Sequence, residues 1–96
     1  MKIIVLKFGG TSVGSLKKIA NVSKIIISYV KKNYKVIVVS SAMSGVTNEL
    51  LLRTKKLAKN FPNEEKDVIL STGEQISCAL IAGKLNDLGY KSRSWL

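Results

Sequence analysis

The segment Lys7-Phe8-Gly9-Gly10-Thr11-Ser12-Val13-Gly14-Ser15 joins a cation, adjacent glycines and hydroxyl side chains in one short stretch. Adjacent glycines remove the side chains that would keep an anion away from the backbone. A helix starting just after them adds free N–H groups and a positive dipole end. Lys7 then sets an ammonium beside that anion site. Two familiar phosphate loops do not fit. A Walker loop needs lysine after its last glycine, where Ser15 follows Gly14. A dinucleotide fingerprint needs its second glycine where Thr11 stands. On residue types alone, a phosphate loop and a plain glycine turn with a snorkelling lysine both stay open.

Other candidates carry structural readings of their own. Ser71-x-x-Glu74 is a capping-box pattern, which would make Glu74 a helix cap. Thr47 has the character of an N-cap residue. Cys78 reads as helix core and not as a nucleophile, because the chain has no histidine to activate it.

The elements that must hold these residues follow from hydrophobic patterning. Lys2–Phe8 reads as a strand ending at Gly9-Gly10, and Lys35–Ser41 as a second; both are apolar on two faces, as in a buried parallel sheet. Between them, about Ser15 to Lys32 is helical, with Ile19, Val22, Ile26 and Val30 on one face, and Asn33-Tyr34 turns the chain. A second helix spans about Thr47 to Lys59, its stripe being Leu50, Thr54, Leu57, Ala58 and Phe61, with Pro62 as punctuation. Asp67–Leu70 forms a short helical piece. A further helix from about Glu74 to Leu88 buries Ile76, Leu80, Ile81, Leu85 and Leu88 and ends at Gly89. Ser92–Leu96 begins a third strand. The order βαβααβ implies an α/β fold, a mostly parallel sheet covered by helices and forming part of a larger domain. In such sheets ligands bind outside the carboxyl ends of strands, which is where the Lys7 loop falls.

Composition narrows the function classes. The 96 residues allow one small domain or a piece of a larger one. No apolar run is long enough for a membrane helix, and Lys7 interrupts Ile3–Leu6 before it reaches signal-peptide length, so a cytoplasmic protein is expected. The formal charge of +10 raises nucleic-acid binding as a rival. Arginine stands only at positions 53 and 93 and the lysines are scattered, which favours a solvated lysine surface and no nucleic-acid or membrane partner.

Three segments together resemble a known family. Lys7–Gly14 is similar to the N-terminal signature of aspartate kinases in the amino-acid kinase family, Val38–Asn48 to its second strand and loop, and Ser71–Ser77 to its Ser-x-Gly-Glu segment. The resemblance implies the three-layer αβα sandwich of that family, of which residues 1–96 would be the N-terminal portion of the catalytic domain. It implies ATP-dependent phosphorylation of L-aspartate to 4-phospho-L-aspartate, a step of lysine, threonine and methionine biosynthesis. Carried over, Lys7 is catalytic, and Lys7, Phe8, Gly9 and Gly10 hold the ATP phosphates with their Mg²⁺. Ser41, Thr47 and Glu74 fall on the substrate side. No protein metal ligand is expected. The family's Arg-Gly-Gly-Ser-Asp stretch, nucleotide-base region and regulatory ACT domains have no counterpart here, so the chain alone is expected to be inactive or nearly so. Its expected partners are ATP, L-aspartate and the remaining C-terminal part of the enzyme or a second subunit. The competing readings are a kinase of the same fold acting on glutamate, acetylglutamate or a nucleoside monophosphate, and a non-catalytic basic binding module.

Overall fold

A computed structural model describes residues 1–95. Strand β1 (Lys2–Phe8) is followed by helix α1 (Leu16–Lys31), strand β2 (Tyr34–Ser40) and helices α2 (Val46–Leu57) and α3 (Asn63–Asp87). The strands pair in parallel, from Lys2 opposite Tyr34 to Phe8 opposite Ser40. Their connection is the 16-residue α1, as parallel pairing demands a long crossover.

Each end of α1 has a local cause. The Ser15 hydroxyl accepts a hydrogen bond from the Lys18 amide at 3.2 Å and caps the first turn. At the far end, Asn33 adopts φ 67°, a left-handed conformation that asparagine tolerates, and turns the chain into β2. Helix α3 ends in a Schellman arrangement. The amide of Gly89, at φ 90°, donates to Asn86 O at 3.0 Å, and that of Tyr90 donates to Leu85 O at 2.9 Å.

The core lies on one side of the sheet. Ile19, Val22 and Ile26 of α1 meet Ile81 and Leu85 of α3 and Val13, with Leu6, Phe8, Val36 and Val38 closing the cluster from the strands. Side chains alternate along a strand, so Ile3, Val5, Ile37 and Val39 point the other way and are 64, 60, 49 and 47% exposed. The expectation that both strand faces are buried is thus corrected. The apolar residues are there on both faces, but among the described residues helices cover only one.

Three further expectations change. Ser92–Trp95 forms no strand, and Leu96 lies outside the described residues. The segment is held instead by Asn86, whose amide donates to Ser92 O at 2.9 Å while its Oδ1 accepts from the Ser92 amide at 3.2 Å. A hollow of about 320 Å³ separates it from Val36–Val38, so among the described residues the β2 edge has no third ladder. The short helix and the one after it are a single 25-residue helix, α3, which runs through Ser71-Thr72-Gly73. The buried stripes also shift: Val30 (38%), Leu57 (79%), Ile76 (56%), Leu80 (36%) and Leu88 (42%) are exposed. The α3 stripe is Gly73, Ser77, Ile81 and Leu85, whose first two members are too small to register as apolar pattern.

Candidate functional site

The loops that follow β1 and β2 leave the sheet at the same end, because the strands are parallel and in register. One hydrogen bond continues the ladder past both strands, from the Ser41 amide to Phe8 O at 3.0 Å. The first loop is then shaped by Ser12 N–H donating to Gly9 O (3.0 Å) and Gly14 N–H donating to Thr11 O (3.3 Å). It is tied to the second by Ser44 N–H donating to Gly10 O at 3.1 Å.

The adjacent glycines have different roles. A Cβ on Gly9 would meet nothing within 4 Å, so its backbone is open to an incoming group. A Cβ on Gly10 would stand 2.9 Å from Ala42 O, so this glycine permits the two loops to touch. Among the described residues, the amides of Gly9, Gly10 and Thr11 make no hydrogen bond within the fold. Three free amides on an accessible turn are the donors an anion requires.

Lys7 is exposed, and its register partner is Val39, so it projects on the uncovered side of the sheet. Among the described residues the one salt bridge joins Glu49 to Arg53 on α2 (2.9 Å), which leaves the Lys7 ammonium without an intramolecular counter-ion. The first turn of α1 holds no acid, so nothing there neutralises its positive end. A phosphate chain fits this donor set: one cation, open amides and, among the described residues, no carboxylate paired with Lys7. Among the described residues no three histidine, cysteine or acidic side chains come together as a metal-binding group.

The second loop lies between the first loop and α3, touching Gly10 on one side and Gly73 on the other through Ala42. Ser40 and Ala42 are buried, Ser41 is half-buried, and Ser44, Gly45 and Thr47 are exposed. Gly45 caps α2 at φ 85° and supplies no side chain, so Thr47 stands within the helix. Its reading as an N-cap is overturned, and its hydroxyl is free of that duty. On α3, a Cβ added to Gly73 would lie 3.0 Å from Ala42 Cβ and 3.1 Å from Val46 Cγ1. Glu74, the next residue, is exposed at this contact.

Glu74 is also not the partner of a capping box. Ser71 lies well inside α3, and its hydroxyl donates to Val68 O at 2.7 Å, as Thr72 does to Ile69 O at 2.6 Å. These bonds to the preceding turn satisfy the side chains that would otherwise break a helix. Cys78 is half-buried and lines the hollow beside β2, apart from the loops.

The three segments picked out by sequence therefore meet through backbone and small side chains: Gly10 on Ala42, and Ala42 on Gly73. Sequence reasoning missed Gly73 and Ser77 as contact residues. The available signal was two small residues four apart in line with Ile81 and Leu85.

Comparison with known proteins adds kinship. The model of the amino acid kinase family matches residues 2–96. The aspartokinase of Geobacillus stearothermophilus is 48% identical over 94 residues, covering 98% of this chain and 23% of its own length. Aspartokinase 2 of Bacillus subtilis is 41% identical over 95 residues, again 23% of its own length. The crystal structure of aspartate kinase from Synechocystis superposes with a TM-score of 0.87 at 40% identity, covering 90% of this chain and 15% of that one. The chain thus spans about a quarter of the curated relatives it matches.

Proposed function

The chain belongs to the amino acid kinase family, and from that premise we propose that it forms the phosphate-binding part of an aspartate kinase. The observation that carries this reading is the meeting of the glycine loop, the Ser41–Thr47 loop and the Gly73–Glu74 turn at one end of the parallel strands. In α/β sheets that end is where ligands bind.

The reaction is transfer of the γ-phosphoryl group of ATP to the side-chain carboxylate of L-aspartate, giving 4-phospho-L-aspartate. A free aspartate carboxyl has a pKa of about 3.9, so at neutral pH the nucleophile is already ionised. No general base is required, in keeping with a chain that has no histidine. Catalysis then rests on alignment and on cancelling charge. Lys7 is assigned to the charge of the transferring group, and the amides of Gly9 and Gly10, next to Phe8, to the phosphate oxygens. ATP brings Mg²⁺ on its own phosphates. Ser41, Thr47 and Glu74 are assigned to the acceptor, with the Glu74 carboxylate suited to an α-ammonium group.

This reading takes residues 1–96 as the N-terminal portion of the catalytic domain. The adenine and the acceptor's α-carboxylate would be held by further polypeptide. None of the described helices is long and apolar enough to cross a membrane. The test is an acceptor panel on the full-length protein: aspartate-dependent acyl-phosphate, trapped as hydroxamate, supports the reading. Turnover of glutamate, acetylglutamate or a nucleoside monophosphate in its place overturns it.

A further inference from the structure

Ser77 is fully buried, at 0% exposure, yet it sits one residue-triplet beyond the exposed Glu74 on α3. Its hydroxyl lies 2.6 Å from Ser41 O and 3.0 Å from Glu74 O. One hydroxyl carries one proton, and the shorter distance gives it to Ser41, across 36 residues of chain. Ser40 completes the group: its hydroxyl is 3.1 Å from Ser41 O and 3.5 Å from the Ser77 hydroxyl.

The acceptor in this arrangement matters. Ser41 is the first residue past β2, where the strand ladder has ended with its amide on Phe8 O. Its carbonyl has no further strand to pair with and is taken up by the Ser77 hydroxyl. One turn earlier on the same helix, Gly73 brings α3 against Ala42. Consecutive residues of the loop, Ser41 and Ala42, are therefore pinned to consecutive turns of α3, at Ser77 and Gly73. Two attachment points fix both the height and the direction of the loop. With either attachment alone the loop would be held on α3 at one point only.

We propose that Ser77 is a positioning residue: its hydroxyl, holding Ser41 O, sets the Ser41–Gly45 loop and the start of α2 at Thr47 in register with the Glu74 turn. The inference rests on the acceptor-side assignment of Ser41, Thr47 and Glu74 made above. Ser77 itself is too buried to touch a ligand. Its effect passes first through the loop to the acceptor side; the phosphate loop, tied to the same segment by Ser44 N–H on Gly10 O, keeps its own bonds from Ser12 N–H to Gly9 O and from Gly14 N–H to Thr11 O.

The test compares Ser77→Ala, Ser77→Thr and wild type in the full-length protein, with KM measured separately for L-aspartate and ATP. Losing the hydroxyl should raise KM for aspartate on the order of tenfold, as displaced supporting contacts do, and leave KM for ATP within about twofold. Ser77→Thr, which keeps the hydroxyl, should recover most of the difference. Amide hydrogen exchange on the same proteins is the second readout: residues 41–47 should exchange faster in Ser77→Ala while β1 is unchanged. Equal changes in the two KM values, or a lowered thermal midpoint with unchanged KM and exchange, overturn the proposal. If wild type turns over no aspartate, the functional reading fails by itself. Exchange then decides, with unaltered protection of residues 41–47 counting against Ser77.

Discussion

Gly73 and Ala42 approach so closely that a methyl group on Gly73 would stand 3.0 Å from the methyl of Ala42. Real Cβ atoms essentially never come nearer, and Val46 Cγ1 at 3.1 Å blocks escape to the side. The contact explains a glycine inside a 25-residue helix, a place where glycine is otherwise unfavourable. It joins the helix that bears Glu74 to the loop that bears Ser41 and leads into Thr47 at the start of α2.

Gly73→Ala therefore sets a gain in helix propensity, about 1 kcal/mol, against overpacking of about 1–3 kcal/mol. A net loss of about 1 kcal/mol is expected in urea unfolding. Gly83 is the internal control, since a Cβ there meets nothing within 4 Å on the same helix. Gly83→Ala should stabilise by about 0.5–1 kcal/mol. Equal effects at the two positions would mean that the Ala42 contact is not tight.

Gly89 supplies a second backbone test. Its φ of 90° lets the amides of Gly89 and Tyr90 close the end of α3. Gly89→Ala should lower stability by about 1 kcal/mol, read as a lower thermal midpoint, because a Cβ is strained in the left-handed region. Gly9→Ala, at a position open around its Cβ, should leave the midpoint unchanged.

The uncovered sheet face makes a prediction about the isolated chain. Val5 and Ile37 are register partners, 60 and 49% exposed, within an apolar surface that also includes Ile3 and Val39. Contiguous exposed apolar surface of this kind drives association. The isolated 96-residue chain should sediment as concentration-dependent oligomers. Replacing the pair together, Val5→Glu with Ile37→Lys, should shift it toward monomer. Unchanged sedimentation of the double variant would show that this face does not mediate the association.

Much of this architecture was legible in the residues. β1 has the bounds that its apolar run and following glycines suggested, and β2 begins and ends one residue earlier than expected. The start of α1 at Ser15 and the left-handed Gly89 follow from local chemistry that a single sequence carries. What escaped depended on distant partners. Ser71-Thr72-Gly73 has the composition of a break, yet α3 passes through it, because two hydroxyls bond back to the preceding turn and the glycine is needed for Ala42. Ser77 shares the spacing of Gly73, Ile81 and Leu85, which marks it for burial, but nothing in the sequence names its partner Ser41, which lies on another element. Strands apolar on both faces imply a sheet covered twice, and only one cover is present among the described residues. The glycine loop itself was visible, but the separate roles of Gly9 and Gly10 needed the neighbouring loop to be in place.

The central claim is that Lys7, exposed at the end of β1 beside the open amides of Gly9 and Gly10, serves phosphoryl transfer and not folding. The most direct measurement is aspartate-dependent hydroxamate formation by the full-length protein and its Lys7→Ala variant, with thermal unfolding of both. The expected result is a fall in kcat of at least about 100-fold, in the range for losing a charge-stabilising group, with an unchanged thermal midpoint. A Lys7→Ala protein that keeps kcat within a few-fold of wild type would contradict the account.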